Sequence, residues 1–384
     1  MSPEPVFPGV FIDETPSPRA ITGLPTGIAA FIGSFAAGPV GSPVRVTSFL
    51  EFEQVFGGLD ATSETSYALS QFFQTGGLSA FVIRIEGAAS LAGFLGSGEA
   101  GGGLAALDLV ETFDILVIPE AAQLPTADML SVYAAAEAAV ARHRAMLIID
   151  SPPDVATPDA MIAWLATNDS LRHANAAVYF PRVCVFDPLN PATPRTIGAG
   201  GSMAGLYAAT DSTRGVWKAP AGTSAGLTAI DDLVYLLSDE ENGALNRLGI
   251  NALRRFTGHG PVCWGARTLL GADDLASDWK YIPVRRLALH IEASVARGIA
   301  FAVFEPNDEP LFAELRFAIT RFLDSLFRQG AFQGAKASDA YFVRCDGATA
   351  SEDERASGLV AIEIGFAPLR PAEFVTLRIL QKTA

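Results

Sequence analysis

The chain has 384 residues, enough for two domains that each bury a core. Apolar residues make up 49% and charged ones 18%, but no apolar run reaches the ~18 residues a bilayer span needs. The apolar surplus therefore points to large subunit interfaces, while a net charge of −15 argues against a nucleic-acid partner.

Residues 1–22 read as an extended arm around VFPGVFIDETPSP, too short and polar to hold a core. Pro5 and Pro8 lack N–H groups, so Val10, Phe11 and Ile12 are its strand-pairing segment. No basic segment followed by an apolar one opens the chain, so synthesis in a cytoplasm without a signal peptide is expected. A buried strand follows at 28–32. Thr47 or Ser48 caps a short helix to Val55, stopped by Gly57-Gly58, and a second helix covers 62–74 before Gly76-Gly77. Strands at 80–85, 113–118, 145–150 and 176–180 then interleave with helices at 127–142, 158–167 and about 202–209. That alternation requires crossover connections and a mostly parallel sheet, an α/β unit. Residues 86–113, rich in Gly and Ala, match no motif.

From about residue 249 the pattern turns to α+β. Strands near 250–255 and 262–268 precede a proline-started helix at 284–297, a short strand, an acidic turn and a helix at 310–328. On that last helix Phe312, Leu315, Ile319, Phe322, Leu323 and Leu326 make one apolar stripe, with Glu314, Arg321, Ser325 and Arg328 opposite. Three strands close the chain. In the final one, 373–380, Val375, Leu377 and Ile379 alternate with Thr376, Arg378 and Leu380, giving a sheet edge open to a partner. Two strand-like ends on one chain suggest a building block. Charge agrees: from Lys280 onward acidic and basic residues balance, so the whole deficit lies in the part that would face water.

Catalytic readings are weak by comparison. GTSAG at 222–226 satisfies G-x-S-x-G, GSMA at 201–204 resembles a subtilisin serine turn, and Asp150 ends a buried strand. A triad in the order Asp–His–Ser would need His173, which lacks the company of a catalytic histidine. The plainer reading makes Ser202 a helix cap, Asp150 a strand end before Pro152-Pro153, and 219–226 a loop. GAGG at 198–201 lacks the third glycine of a dinucleotide loop, because Met203 stands there, and reads as a helix-entry turn. His143 suits a helix C-terminus, His259 a Gly-His-Gly turn, and His290 the polar side of its helix. Asp231-Asp232 and Asp239-Glu240-Glu241 read as solvated helix starts rather than calcium loops. Cys184, Cys263 and Cys345 make no zinc spacing and read as buried free thiols. No cofactor, metal or catalytic residue is expected.

Several segments resemble the contractile tail sheath proteins of bacteriophages and related injection machines. They are PGVFIDE (8–14), GVWKAPAG (215–222), LNRLGINALRRFTGHGPVCWGARTL (245–269), WKYIPVRRLALHIE (279–292), FEPND (304–308), AYFVRCD (340–346) and APLRPAEFV (367–375). Phe301 stands where the family pattern has a tryptophan. The resemblance implies an arm at 1–22, an outer, subtilisin-like α/β domain at 23–248, an inner α+β domain at 249–370 and a strand arm at 371–384. It further implies a non-enzymatic subunit that polymerises with itself around an inner tube protein, between baseplate and tail-terminator or cap proteins, without nucleic acid or membrane. The particle is a phage tail, tailocin or injection system. Val10, Phe11, Ile12, Val375, Leu377 and Ile379 would bridge subunits, and Arg321, Ser325 and Arg328 would touch the tube. The alternatives are a degenerate subtilisin-type serine hydrolase and a minor sheath paralogue at the baseplate.

Overall fold

The structure, a computed structural model, describes residues 20–96, 101–369 and 375–382. Val10, Phe11 and Ile12 lie outside these residues. Strand residues with side chains alternating to two apolar faces build the first and larger layer system. In β1 (Ile28–Gly33), Ile28, Ala30 and Ile32 enter one core while Ala29 and Phe31 enter the other. Such a strand has to lie between two helical layers.

The sheet it centres on has eight strands in the order β11-β10-β6-β5-β4-β1-β3-β2. β3 (Ser79–Arg84) and β4 (Ile115–Val117) flank β1 in parallel, followed by β5 (Met146–Ile149) and β6 (Ala176–Phe180), also parallel. β2 (Val44–Val46) closes one edge antiparallel. Helix α1 (Phe49–Phe56) starts at the Ser48 cap and ends at Gly57, whose φ of 93° suits only glycine without strain. α2 (Glu64–Gln74) packs on the same face as α1, whereas α3 (Leu91–Leu95), α4 (Thr126–His143) and α5 (Pro158–Thr167) cover the other. β7 (Val183–Val185), β8 (Arg195–Ile197) and β9 (Asp232–Leu233) make a small separate sheet. Helix α6 (Gly200–Arg214) is longer than the sequence suggests, and α7 (Asp239–Arg247) begins with a reciprocal Ser238–Glu241 capping box.

Two strands expected in the inner unit belong to this sheet. β10 (Asn251–Phe256) runs parallel to β6, and β11 (Gly260–Cys263) pairs antiparallel with β10. The boundary expected at residue 249 therefore does not hold for 251–263. Asn251 fixes the arrangement: fully buried, it donates to the Val178 and Arg267 carbonyls and accepts from the Arg267 N–H.

The second unit is built on α8 (Ile282–Gly298) and α9 (Glu309–Arg328), which lie against β12 (Tyr341–Arg344), β13 (Leu359–Phe366) and β14 (Val375–Lys382). The short strand expected between the helices is instead a 3-10 turn, Ala300–Ala302, because the ten residues between the helices must reverse the chain. Asp231-Asp232, read as a helix start, enters β9. Cys263 and Cys345 are buried free thiols as expected, but Cys184, on the central strand β7 of the small sheet, is only half-buried. Among the described residues no helix is long and apolar enough to cross a membrane.

Candidate assembly surfaces

The last strand is paired along its length. β14 runs antiparallel to β13 of the same chain, with Val375 opposite Phe366, Leu377 opposite Ile364 and Ile379 opposite Ile362. The alternation of this segment predicts a sheet edge open to a partner. It is an edge, since the sheet order is β12-β13-β14, but one edge of it already has an intrachain partner. An antiparallel strand added at the end of a chain satisfies its N–H and C=O groups equally well from its own subunit or a neighbour.

Helix α9 opens at Asp308, whose carboxylate accepts the Leu311 N–H, and buries Leu311, Phe312, Leu315, Ala318, Ile319, Phe322, Leu323 and Leu326. Its opposite face carries the expected tube residues. Arg321, Ser325 and Arg328 are all exposed and do share that face. Arg328 lies 2.7 Å from Asp324, one helical turn away, and the Arg321 guanidinium sits over the half-exposed Phe317 ring at 5.7 Å. Arg321 has no carboxylate partner among the described residues, so it presents uncompensated charge. Arg316 pairs with Glu309 and also donates to the Cys345 carbonyl, fixing β12's end to the helix.

Where the two units meet, α8 supplies a buried arginine that sequence reasoning missed. Arg286 stands one turn before His290, on the side of the helix expected to be polar. It is in fact 3% exposed and donates to both oxygens of Asp211 on α6, at 2.8 and 2.7 Å, and to Asp114 at 2.6 Å. The guanidinium also lies over the Tyr207 ring, 4.7 Å from its centroid. Burial works against the charge, yet the two carboxylates win and hold the Arg286 proton more tightly than usual. Burial likewise pushes Asp114 up against the pull of Arg286. His290, one turn on, is driven down to about 4 by burial, with Arg286 adding to the fall and Asp211 opposing it. Ser294 accepts the Leu24 N–H, and Ile21 joins the α8–α9 core, so the chain following the N-terminal arm is stitched across this helix. The i, i+4, i+8 spacing of Arg286, His290 and Ser294 was the available signal: a polar row on an otherwise apolar helix has to be paired.

The hydrolase motifs resolve into packing. Ser202 is fully buried in the first turn of α6, where its hydroxyl donates to Gln71 at 3.3 Å; the cap position is Ala199, not Ser202. Ser224 lies exposed in a loop, and His173 accepts from the Asn175 N–H. None of the three is hydrogen-bonded to another among the described residues, so these motifs do not form a nucleophile–base pair there. The glycines of 198–201 serve close approach. Asp150 accepts the Gly200 N–H at 2.8 Å, and Glu64 accepts the Gly198 N–H at 2.6 Å while pairing with buried Arg182. A Cβ at Gly198 would overlap the Asp150 carboxyl, and one at Gly201 would overlap the Ala68 carbonyl of α2. The N–H groups at this helix terminus are thus taken by the chain's own carboxylates rather than left for a phosphate.

No protein-family model matches the chain. Over 133 residues it is 31% identical to the tail sheath protein of Vibrio phage KVP40, covering 34% of this chain but only 19% of that protein. It spans about a fifth of that curated relative's length. Among solved structures it matches the helical sheath of the anti-feeding prophage in its contracted state, at 32% identity and a TM-score of 0.73, over 98% of this chain and 99% of that one. The chain belongs to the contractile tail sheath family. A second sheath structure, that of the extracellular contractile injection system PVC in its contracted state, matches at 26% identity and a TM-score of 0.75, over 98% of both chains. These relatives are structural sheath proteins, not enzymes, and their mixed α/β fold with a mostly parallel central sheet is the one found here.

Proposed function

We propose that this chain is the sheath subunit of a contractile injection apparatus, polymerising helically around an inner tube and contracting to drive that tube through a target envelope. The observation that carries the reading is the end-to-end likeness, at 32% identity, to a sheath in its contracted state. Work comes from differential contact: an extended lattice relaxes to one with more buried interface once released, with no nucleotide consumed at the sheath. The α/β unit is a subtilisin-like scaffold without catalytic groups, facing outward, and the α8–α9 unit with the β12–β14 sheet faces the tube.

Val10, Phe11 and Ile12 of one arm, and Val375, Leu377 and Ile379 of the other, tie subunits together by adding strands to neighbouring sheets. Donor and acceptor patches differ, so the contact does not close on itself and propagates as a filament. Arg321, Ser325 and Arg328 contact the tube. Subunits made in the cytoplasm assemble with tube, baseplate and cap proteins into a particle, without nucleic acid or membrane contact. Negative-stain microscopy of the purified chain, alone and with tube protein, tests this. Striated tubes are expected; only dispersed monomers under both conditions, or labelling of Ser202 or Ser224 by an active-serine probe, would overturn it.

A further inference from the structure

Phe304 is 82% exposed and has a φ of 76°, the left-handed region that a bulky side chain rarely occupies. The turn around it is firmly built. Glu305 N–H donates to the Ala302 carbonyl, Pro306 follows, Asp308 N–H returns to the Pro306 carbonyl, and the Asp308 side chain caps α9. An aromatic ring is therefore held out to water on a strained backbone, beside Glu305, which has no cationic partner among the described residues. Strain kept at an exposed aromatic marks a recognition element more often than a packing accident.

A matching concavity lies at the far end of the same helix pair. A groove of about 690 Å³ is lined by Trp217, Tyr281, Pro283 and Leu369, with Arg214 and Lys218 on it. Neither cation is paired with a carboxylate among the described residues. Gln329 and Gly330, just beyond the end of α9, also line it, whereas Phe304 lies just before its start. Twenty helical residues separate the two features by about 30 Å, so knob and groove of one subunit do not meet.

We infer that the Phe304 turn of one subunit inserts into the Trp217–Tyr281 groove of a second copy of this chain, with Glu305 against Arg214 and Lys218. The partner is a second copy because the two surfaces are complementary in shape class and charge, and because they lie at opposite ends of one rigid helix pair. That polarity is what a head-to-tail, non-closing contact requires. This contact rests on the sheath reading above and adds to it a rigid joint distinct from the terminal strands.

The test is tube formation by the purified full chain, read by sedimentation and microscopy. Phe304→Ala is expected to cut tube yield at least tenfold with the melting temperature unchanged, since the ring is 82% exposed in its own subunit. Glu305→Lys and Lys218→Glu should each weaken assembly, and the chain carrying both should regain it. With an added thiol oxidant, a chain with Glu305→Cys and Lys218→Cys should give a disulfide ladder in tubes and only monomer when dispersed. If the unmodified chain makes no tubes either alone or with tube protein, the sheath reading itself falls and this contact with it. If Phe304→Ala makes tubes at full yield, or fails only when tube protein is present, the sheath reading stands and this contact is wrong.

Discussion

Arg286 of α8 and Asp211 of α6 form a two-point ion pair at 2.8 and 2.7 Å, their side chains 3% and 1% exposed. It joins the helix that carries the C-terminal unit to the helix that backs the central sheet. A bidentate geometry fixes orientation as well as distance, so it sets the angle at which the two units meet.

Removing one partner of that pair should cost more than the pair itself contributes. Arg286→Met strands Asp211 and Asp114 without a counter-charge, and breaking a buried pair in this way typically costs about 3–5 kcal/mol. Denaturant unfolding of the monomer is the measurement. A loss under about 1 kcal/mol would mean that the site hydrates or rearranges when the arginine leaves.

Asp150 should write a pH dependence into stability. Burial, with the Glu64 carboxylate adding to it and Arg182 opposing, raises its carboxyl from 3.8 to about 7. Between those values the folded chain keeps a proton that the unfolded chain has released. This residue's contribution therefore falls as pH rises through that window and is flat above it. Asp150→Asn retains the acceptor for the Gly200 N–H and cannot titrate. Its melting temperature, relative to the unmodified chain, should climb from pH 4.5 to 7.5; a constant difference would show that Asp150 ionises normally.

The outward face of α9 makes a separable prediction. Arg321→Glu combined with Arg328→Glu should leave monomer stability within about 0.5 kcal/mol, because both side chains are exposed and the Arg328–Asp324 pair is a surface one. Sheath should still polymerise alone yet fail to assemble around tube protein. Extended sheath on tubes at normal yield would remove this face from the tube contact.

Deleting residues 372–384 strips β14 from β13. The expected product is a soluble subunit whose central sheet is intact by circular dichroism but which no longer forms tubes. Normal tubes would show that the strand serves only its own subunit.

Much of this protein is legible in its sequence because local chemistry determines it. The Ser48 cap, the Pro158 start of α5, the apolar stripe of α9 and the alternating strands of a buried parallel sheet are fixed by hydrogen-bond satisfaction and side-chain period within a few residues. The segments shared with sheath proteins were legible for the same reason: they are contiguous. Tertiary structure alone decided which sheet received β10 and β11, because strand period does not name a partner. It also turned GAGG from a possible anion loop into a seat for Asp150 and α2, and a polar row on α8 into the bolt between two units. In each case the deciding contact joins residues far apart in the chain, such as Asp150 with Gly200 or Asp211 with Arg286, and burial makes an unpaired alternative too costly to persist.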